Sequence, residues 1–289
     1  MKSFQEPLVT IKAGLIGAPL NRSLSPRLFK LFNERLGTAF RYSILETPEP
    51  ALGRTLEKIK ALGWSGFNVT LPLKEKIIPF LDALAPEAAD IGAVNAVRIR
   101  NGALTGHNTD AFAVKLSLKE AGCLPRGRAC VIWGAGGAAR AAAWVLAGGG
   151  AASVSIRCRS RSRGAALVKH FSGLFPGVSF DTGTFASASR GASVFVNATP
   201  LGMYAPMRAE LRAGGAPGSF YLDFAYPHSP ARGHGLRLTP FLEGRSGTVI
   251  PGIDLLIYQA LKSAELFGGG RRGAGIMAEL KNNIRAGLE

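Results

Sequence analysis

Residues 131–142, Val-Ile-Trp-Gly-Ala-Gly-Gly-Ala-Ala-Arg-Ala-Ala, place Gly134, Gly136 and Gly137 directly after an apolar run and at the head of a segment of helical period. A strand turning sharply into a helix is the setting of a dinucleotide-binding loop. Glycine at the first position permits the turn, and glycine at the second lets backbone N–H groups approach a pyrophosphate at the positive end of the helix. The small Ala139 at the third position keeps helix and sheet close. In a chain with 37 glycines a simple turn is the competing reading, and the flanking strand and helix weigh against it.

The next apolar run, Ser153 to Cys158, should end near an adenosine ribose, where an NAD enzyme carries Asp or Glu. Here the sequence is Arg157-Cys158-Arg159-Ser160-Arg161-Ser162-Arg163. Guanidinium groups pair with a 2′-phosphate through parallel N–H bonds, so NADP is favoured over NAD. A solvated basic turn is the alternative.

Around this centre, short apolar runs alternate with longer helical segments from Lys12 to Gln259, the pattern of parallel sheets covered by helices. One series comprises strands at Ala13–Gly17, Phe40–Leu45 and GFNVT, with helices at Pro26–Leu36 and Ala51–Leu62. A second begins after Asp110 with a helix through Ala121, the strand Ala129–Gly134 and a helix over Ala138–Leu146. It continues through the strands SVSIRC, Ser193–Thr199 and Phe220–Ala225. GTVIPG then leads into a helix over Asp254–Phe267, and a last helix is expected over Ile276–Leu288. Gly214–Gly218 and Pro227–Gly235 read as loops.

A chain of 289 residues, 47% hydrophobic, can bury two sheets. Cys123, Cys130 and Cys158 lack metal-ligand spacing, so no metal site is expected, and a reducing, cytoplasmic setting is the simpler reading. Glu6, Pro7 and Lys12 interrupt the first apolar run, which argues against a secretory segment or a membrane span. The formal charge of +16 attracts any anion, but the basic residues are scattered and no nucleic-acid-binding signature lies among them. The expected partner is a small molecule, not nucleic acid or membrane, and the chain is expected to be a monomer or homodimer.

Three polar clusters stand at the ends of apolar runs in the N-terminal half. In NRSLSP, Ser23 and Ser25 share one side of an extended segment and could bind a carboxylate, although Ser25 before Pro26 could equally cap a helix. In GFNVTLPLKEK, Asn68 and Thr70 share a face, Pro72 stops the strand, and Lys74 follows on a loop or helix start. GAVNAV and GHNTD supply Asn95 and Asp110, which alone would be turn residues.

Together with GAGGAAR, CRSRSR, NATPLGM, DFAY and PGIDLLIYQA, these motifs resemble, in order and spacing, the shikimate dehydrogenase family from about Gly14 to Gly268. The resemblance implies an α/β chain with two domains separated by a cleft. One is an N-terminal substrate-binding domain, residues 1–107 completed by helices in 253–289, with a mainly parallel sheet. The other is a Rossmann-type NADP-binding domain, residues 108–252. It implies reversible, NADPH-dependent reduction of 3-dehydroshikimate to shikimate, within aromatic amino acid biosynthesis. Lys74 and Asp110 become the catalytic pair, with Ser23, Ser25, Asn68, Thr70, Asn95, Tyr226 and Gln259 around the substrate. Gly134, Ala135, Gly136, Gly137, Ala138, Arg159, Ser160 and Arg163 would hold NADP, with Thr199, Phe224 and Gly252 near the nicotinamide. The Lys74 ammonium would stabilise the developing alkoxide and supply its proton, with Asp110 orienting it.

Some positions depart from the common family pattern. Arg22 stands where many members carry His, Cys158 and Ser160 replace Asn and Thr of the cofactor motif, and Ala96, Asp254 and Leu255 also differ. These changes keep a quinate or aminoshikimate dehydrogenase open as an alternative. A non-catalytic NADP-binding regulatory protein is the alternative from another class, and the presence of Lys74 and Asp110 argues against it.

Overall fold

The computed structural model describes residues 9–21, 23–187, 191–201, 217–226, 247–268, 270 and 274–288. The chain divides into two compact units. The first comprises Met1–Leu84, Val94–His107 and Ala260–Leu288, and the second Ala85–Ala93 and Asn108–Gln259.

The first unit is built on a six-stranded sheet of β1 (Ile11–Gly17), β2 (Phe40–Glu46), β3 (Gly66–Val69), β4 (Ala83–Leu84), β5 (Ala96–Arg100) and β6 (Ala103–His107), in the order β2-β1-β3-β5-β6-β4. β1 pairs in parallel with β2 and β3, and β4 with β6, whereas β5 runs antiparallel to β3 and β6. The β5–β6 hairpin turns on Asn101 and Gly102, at φ 52° and 78°. An Asn-Gly pair in the left-handed region makes the two-residue turn whose twist matches the strands. The helix α1 (Ser25–Leu36) carries Pro26 in its first turn, buries Leu28, Phe29, Leu31 and Phe32, and stops at Gly37 with φ 60°. Phe29 stacks on Tyr42 of β2 at 3.9 Å between ring centroids. Asn33 grips β2 at both backbone groups of Phe40, donating to its carbonyl at 2.8 Å and accepting from its N–H at 2.7 Å. In α2 (Leu52–Ala61), Leu52, Leu56 and Ile59 form the buried stripe.

The second unit carries an all-parallel sheet of β7 (Ala129–Trp133), β8 (Ser153–Arg157), β9 (Ser179–Gly183), β10 (Ala192–Asn197), β11 (Phe220–Asp223) and β12 (Thr248–Ile250). Its order, β12-β11-β10-β7-β8-β9, steps outward in both directions from β7, the doubly wound dinucleotide-binding arrangement with its switch point between β7 and β10. Trp133, Phe195 and Tyr221 stack across β7, β10 and β11 with centroids 5.9 and 5.2 Å apart and form a buried cluster on one face. The helices are α3 (Pro86–Ile91), α4 (Thr109–Glu120), α5 (Gly137–Gly148), α6 (Arg161–Leu174) and the first half of α7 (Gly252–Phe267). The rest of α7 and α8 (Ala274–Leu288) belong to the first unit, where α8 packs on α1 and Phe267 lies against Gly66.

The sequence reading passes directly from the strand at Ser153 to that at Ser193, and there the structure differs. α6 and β9 lie between them, so the arginine run that reads as a turn opens a helix of 14 residues. Ser160 is its N-cap, accepting from the Arg163 N–H at 3.3 Å. The expected loop at Pro227–Gly235 and most of that at Gly214–Gly218 lie outside the described residues, as does Arg22.

Candidate functional site

In the first unit the candidate substrate residues collect at the carboxyl ends of the parallel strands β1 and β3, where open α/β sheets bind ligands. Ser23 and Ser25 follow β1, and the Ser25 N–H donates to the Ser23 hydroxyl at 3.2 Å. The helix-cap reading of Ser25 does not hold, because Leu24 occupies the cap position and Ser25 is the first residue of α1. Thr70 follows β3 directly, donating its N–H to the Ile16 carbonyl and accepting that of Leu73, which turns the chain so that Lys74 comes next. The Lys74 backbone is fixed by the Val94 N–H, 2.8 Å from the Lys74 carbonyl.

Asn68 is buried inside this cluster. Its Nδ2 donates to the Asn95 carbonyl at 3.2 Å and to Ser263 Oγ at 2.7 Å, and its Oδ1 accepts from the Tyr42 hydroxyl at 3.0 Å. Both amide hydrogens are therefore committed within the protein, and what Asn68 fixes is the backbone of Asn95. Asn95, 2% exposed, is held from the other side by the Val69 N–H on its carbonyl and by its own N–H on the His107 carbonyl.

In the second unit Asn108 caps α4 by accepting from the Ala111 N–H at 3.0 Å, placing Asp110 in the first turn, buried, where the helix dipole favours a carboxylate. Gly134 leaves β7 with φ 116°, and a Cβ there would stand 2.7 Å from the Ala198 carbonyl oxygen beyond β10. Gly136 caps α5 in extended conformation, and the nearest atom to a Cβ built on it is Arg163 Nη2 at 3.8 Å. Ala135, Gly137 and Ala138 complete the turn into α5, so the helix presents its first N–H groups at the switch point. Gly252, opening α7, must also be glycine, since a Cβ would collide with Ala225 and stand 2.8 Å from the Asp223 carbonyl oxygen.

At the end of β8 the four arginines have separate fates. Arg157 is buried and paired with Asp181 of β9 at 2.5 Å, whereas Arg159, Arg161 and Arg163 are exposed around Ser160. The first turn of α6 contains no acid and two of these arginines, a charge placement opposed to the helix dipole. An anion bound there relieves both repulsions.

Two residues of this site were given no role by the sequence reading. Asn197 and Asp223 are fully buried at the ends of β10 and β11, joined by a bond of 2.8 Å from Asn197 Nδ2 to Asp223 Oδ1. Asn197 Oδ1 accepts from the Thr199 hydroxyl at 2.6 Å and N–H at 3.1 Å, and Asp223 Oδ1 accepts from the Ala225 N–H at 2.8 Å. Together they shape the strand ends carrying Thr199, Phe224 and Tyr226. Gln259, about two turns along α7, donates through Nε2 to the Leu256 carbonyl at 3.0 Å. Among the described residues no cluster of His, Cys, Asp and Glu could hold a metal ion, and no helix is long and apolar enough to cross a membrane.

A doubly wound parallel sheet with a glycine turn at its switch point defines the second unit as a dinucleotide-binding domain. A family model described as the shikimate dehydrogenase substrate binding domain matches residues 15–97. Over 90% of this chain and 91% of the relative's length, the sequence is 35% identical to a shikimate dehydrogenase (NADP(+)) from Rubrobacter xylanophilus. The chain belongs to the shikimate dehydrogenase family. Among solved structures it is similar to the shikimate 5-dehydrogenase of Thermus thermophilus in complex with NADP(H) and shikimate, with TM-score 0.76, 30% identity and coverage of 95% of this chain and 99% of that one. It is also similar to a quinate dehydrogenase from Corynebacterium glutamicum in complex with NAD, with TM-score 0.78, 25% identity and coverage of 95% and 99%.

Proposed function

We propose that this protein is an oxidoreductase that reversibly reduces 3-dehydroshikimate to shikimate with NADPH. The observation carrying the reading is that relatives named for this activity and cofactor match nine tenths of the chain. The residues present fit the cofactor. The Gly134 turn leaves no room for a side chain, α5 offers its N-terminus, and three exposed arginines flank the N-cap Ser160 of α6. The backbone of Gly134–Ala138 would hold the pyrophosphate, and Arg159, Ser160 and Arg163 the 2′-phosphate, with Thr199, Phe224 and Gly252 beside the nicotinamide.

When bound, the reduced nicotinamide supplies the hydride for the ring carbonyl carbon. Lys74, as an ammonium, donates a hydrogen bond to the carbonyl oxygen, stabilises the negative charge that grows there and delivers the proton. Asp110 orients the ammonium and the neighbouring hydroxyl. Ser23 and Ser25 hold the substrate carboxylate through hydroxyl donors, and Thr70, Asn95, Tyr226 and Gln259 hold the remaining polar groups. Asn68 serves the substrate through Asn95.

The test is a matrix of steady-state rates with shikimate and quinate against NADP+ and NAD+. The highest kcat/KM is expected for shikimate with NADP+. A higher value for quinate with NAD+ would overturn both the substrate and the cofactor assignment.

A further inference from the structure

Ser263 of α7 is a polar residue on an apolar stripe. Its neighbours Ala260, Leu261, Ala264 and Phe267 are buried, and Ser263 is itself completely inaccessible. All of them belong to the first unit. A serine here is disfavoured twice, because alanine forms helix better and a buried hydroxyl costs stability unless it finds a partner. That partner is Asn68 of β3, whose Nδ2 stands 2.7 Å from Ser263 Oγ.

The direction of each bond around Asn68 follows from the one group that has no choice. The Asn95 carbonyl can only accept, so the amino end of the Asn68 amide faces it, at 3.2 Å. The second amino hydrogen then goes to Ser263, and Oδ1 turns to Tyr42 of β2, whose hydroxyl donates at 3.0 Å. Tyr42 is steadied by its ring, stacked on Phe29 of α1.

The Asn95 carbonyl receives a second N–H, from Val69 at 2.9 Å, so both of its lone pairs are engaged. The bond from Asn68 is the longer of the two and stands at the outer limit of the usual range, so it yields first when the amide loses an anchor. Removing the Ser263 hydroxyl leaves one hydrogen of a buried amino group without its acceptor. Turning the amide to recover one draws it away from Asn95.

We propose that Ser263 and Tyr42 are positioning residues for the substrate: they lock the Asn68 amide, one at each end, and through it the backbone of Asn95. The inference rests on the role proposed above for Asn95, and all four residues lie within the first unit. Misplacing a reacting group by an ångström can cost about 100-fold in rate, so the smaller release of a binding residue is expected to cost roughly tenfold.

The experiment uses the full-length enzyme and compares Ser263→Ala, Tyr42→Phe and the double variant. Ser263→Ala removes only a hydroxyl, and Tyr42→Phe keeps the ring stack. Each should raise KM for shikimate, Ser263→Ala roughly tenfold, while kcat changes less and KM for NADP+ stays within about twofold. Because both act through one amide, the double variant should be little worse than Ser263→Ala alone, whereas independent effects would multiply. Thr38→Val, which removes the 3.0 Å bond from Thr38 to Asn33 elsewhere in the same unit, controls for lost stability and should leave both KM values as they are. If Ser263→Ala does not fold, Tyr42→Phe carries the test through the same pair of KM values. Wild-type KM for shikimate in the single variants, an equal rise for shikimate and NADP+, or multiplying effects in the double variant would overturn the proposal. Should the wild-type enzyme itself not oxidise shikimate, the functional reading falls and takes this inference with it, so the wild-type arm separates the two failures.

Discussion

Gly134 and Ala198 face each other across the switch point of the parallel sheet so closely that a single methyl group on the glycine would stand 2.7 Å from the alanine carbonyl oxygen. Gly134 also sits at φ 116°, a conformation that L side chains rarely adopt. Gly134→Ala is therefore expected to cost about 1–3 kcal/mol in backbone strain alone and to disturb the cofactor turn. Urea unfolding and NADP+ titration of the variant measure the two effects, and wild-type values in both would refute the account of this turn.

Lys74 is proposed to act on charge that develops during hydride transfer. Its replacement by Ala should then depress kcat far more than substrate binding, by roughly 100- to 10,000-fold, the range of general acid–base contributions. Steady-state kinetics with shikimate and NADP+ give the number; turnover within tenfold of wild type would remove Lys74 from the chemistry.

Arg159 and Arg163 are assigned to the 2′-phosphate, a group that NAD lacks. Arg159→Gln should lower kcat/KM for NADP+ by about 10- to 100-fold, as expected for a lost charge-assisted pair, and leave NAD+ nearly unchanged. Equal losses with both cofactors would mean that the arginine serves another part of the dinucleotide. Arg157 is a different case, because its pairing with Asp181 joins β8 to β9, and its replacement should register in stability first.

The cysteines make a prediction about pH. Burial pushes the Cys123 thiol up to about 11 and the Cys130 thiol up to about 12, with the nearby Arg128 opposing the shift in both and Cys123 adding to it in Cys130. Burial, with the Glu120 and Asp254 carboxylates nearby, raises Tyr258 as well. Below pH 9 both folded and unfolded chains keep the thiol protons, so these groups leave stability unchanged there. Above it only the unfolded chain releases them, and stability falls by about 1.4 kcal/mol per pH unit for each thiol until the folded values are reached. Urea midpoints at pH 8 and pH 10 should fall more steeply for wild type than for Cys130→Ala, and equal slopes would contradict the burial of this thiol.

Asn197 Nδ2 donates to Asp223 Oδ1 at 2.8 Å, and Asp223 is fully buried. Asn197→Ala leaves that carboxylate short of a donor and should destabilise the second unit by about 3 kcal/mol, in the range for breaking a buried charged hydrogen bond. Asn197→Asp would set two carboxylates side by side and should be worse. A melting temperature for Asn197→Ala within a degree of wild type would show that the bond contributes little.

Much of the fold was legible because β1, β3, β7, β8, β10 and β11 are covered on both faces and read as short apolar runs. β9 escaped because it is a sheet edge, Ser-Phe-Asp-Thr-Gly, with no fully buried residue. α6 escaped because its first turn is arginine, which propensity and dipole both leave ambiguous. The β5–β6 hairpin did carry a signal, Asn101-Gly102, masked by arginines in the flanking strand. In the site, the identities of Asn68 and Asn95 could be read, but not that one holds the other, since their bond joins residues 27 apart. The same holds for Asn197 and Asp223, 26 apart.

Phe267 fills the space beside Gly66, and Ser263 completes the hydrogen bonds of Asn68, although the second pair is 195 residues apart along the chain and the first farther still. During synthesis the ribosome releases the amino-terminal strands first, yet their interior stays open until the last helices emerge. The central lobe, encoded between them, holds its whole parallel sheet within one uninterrupted stretch and can mature earlier. Nascent chains truncated before residue 260 should accordingly display a finished middle lobe and a protease-sensitive beginning.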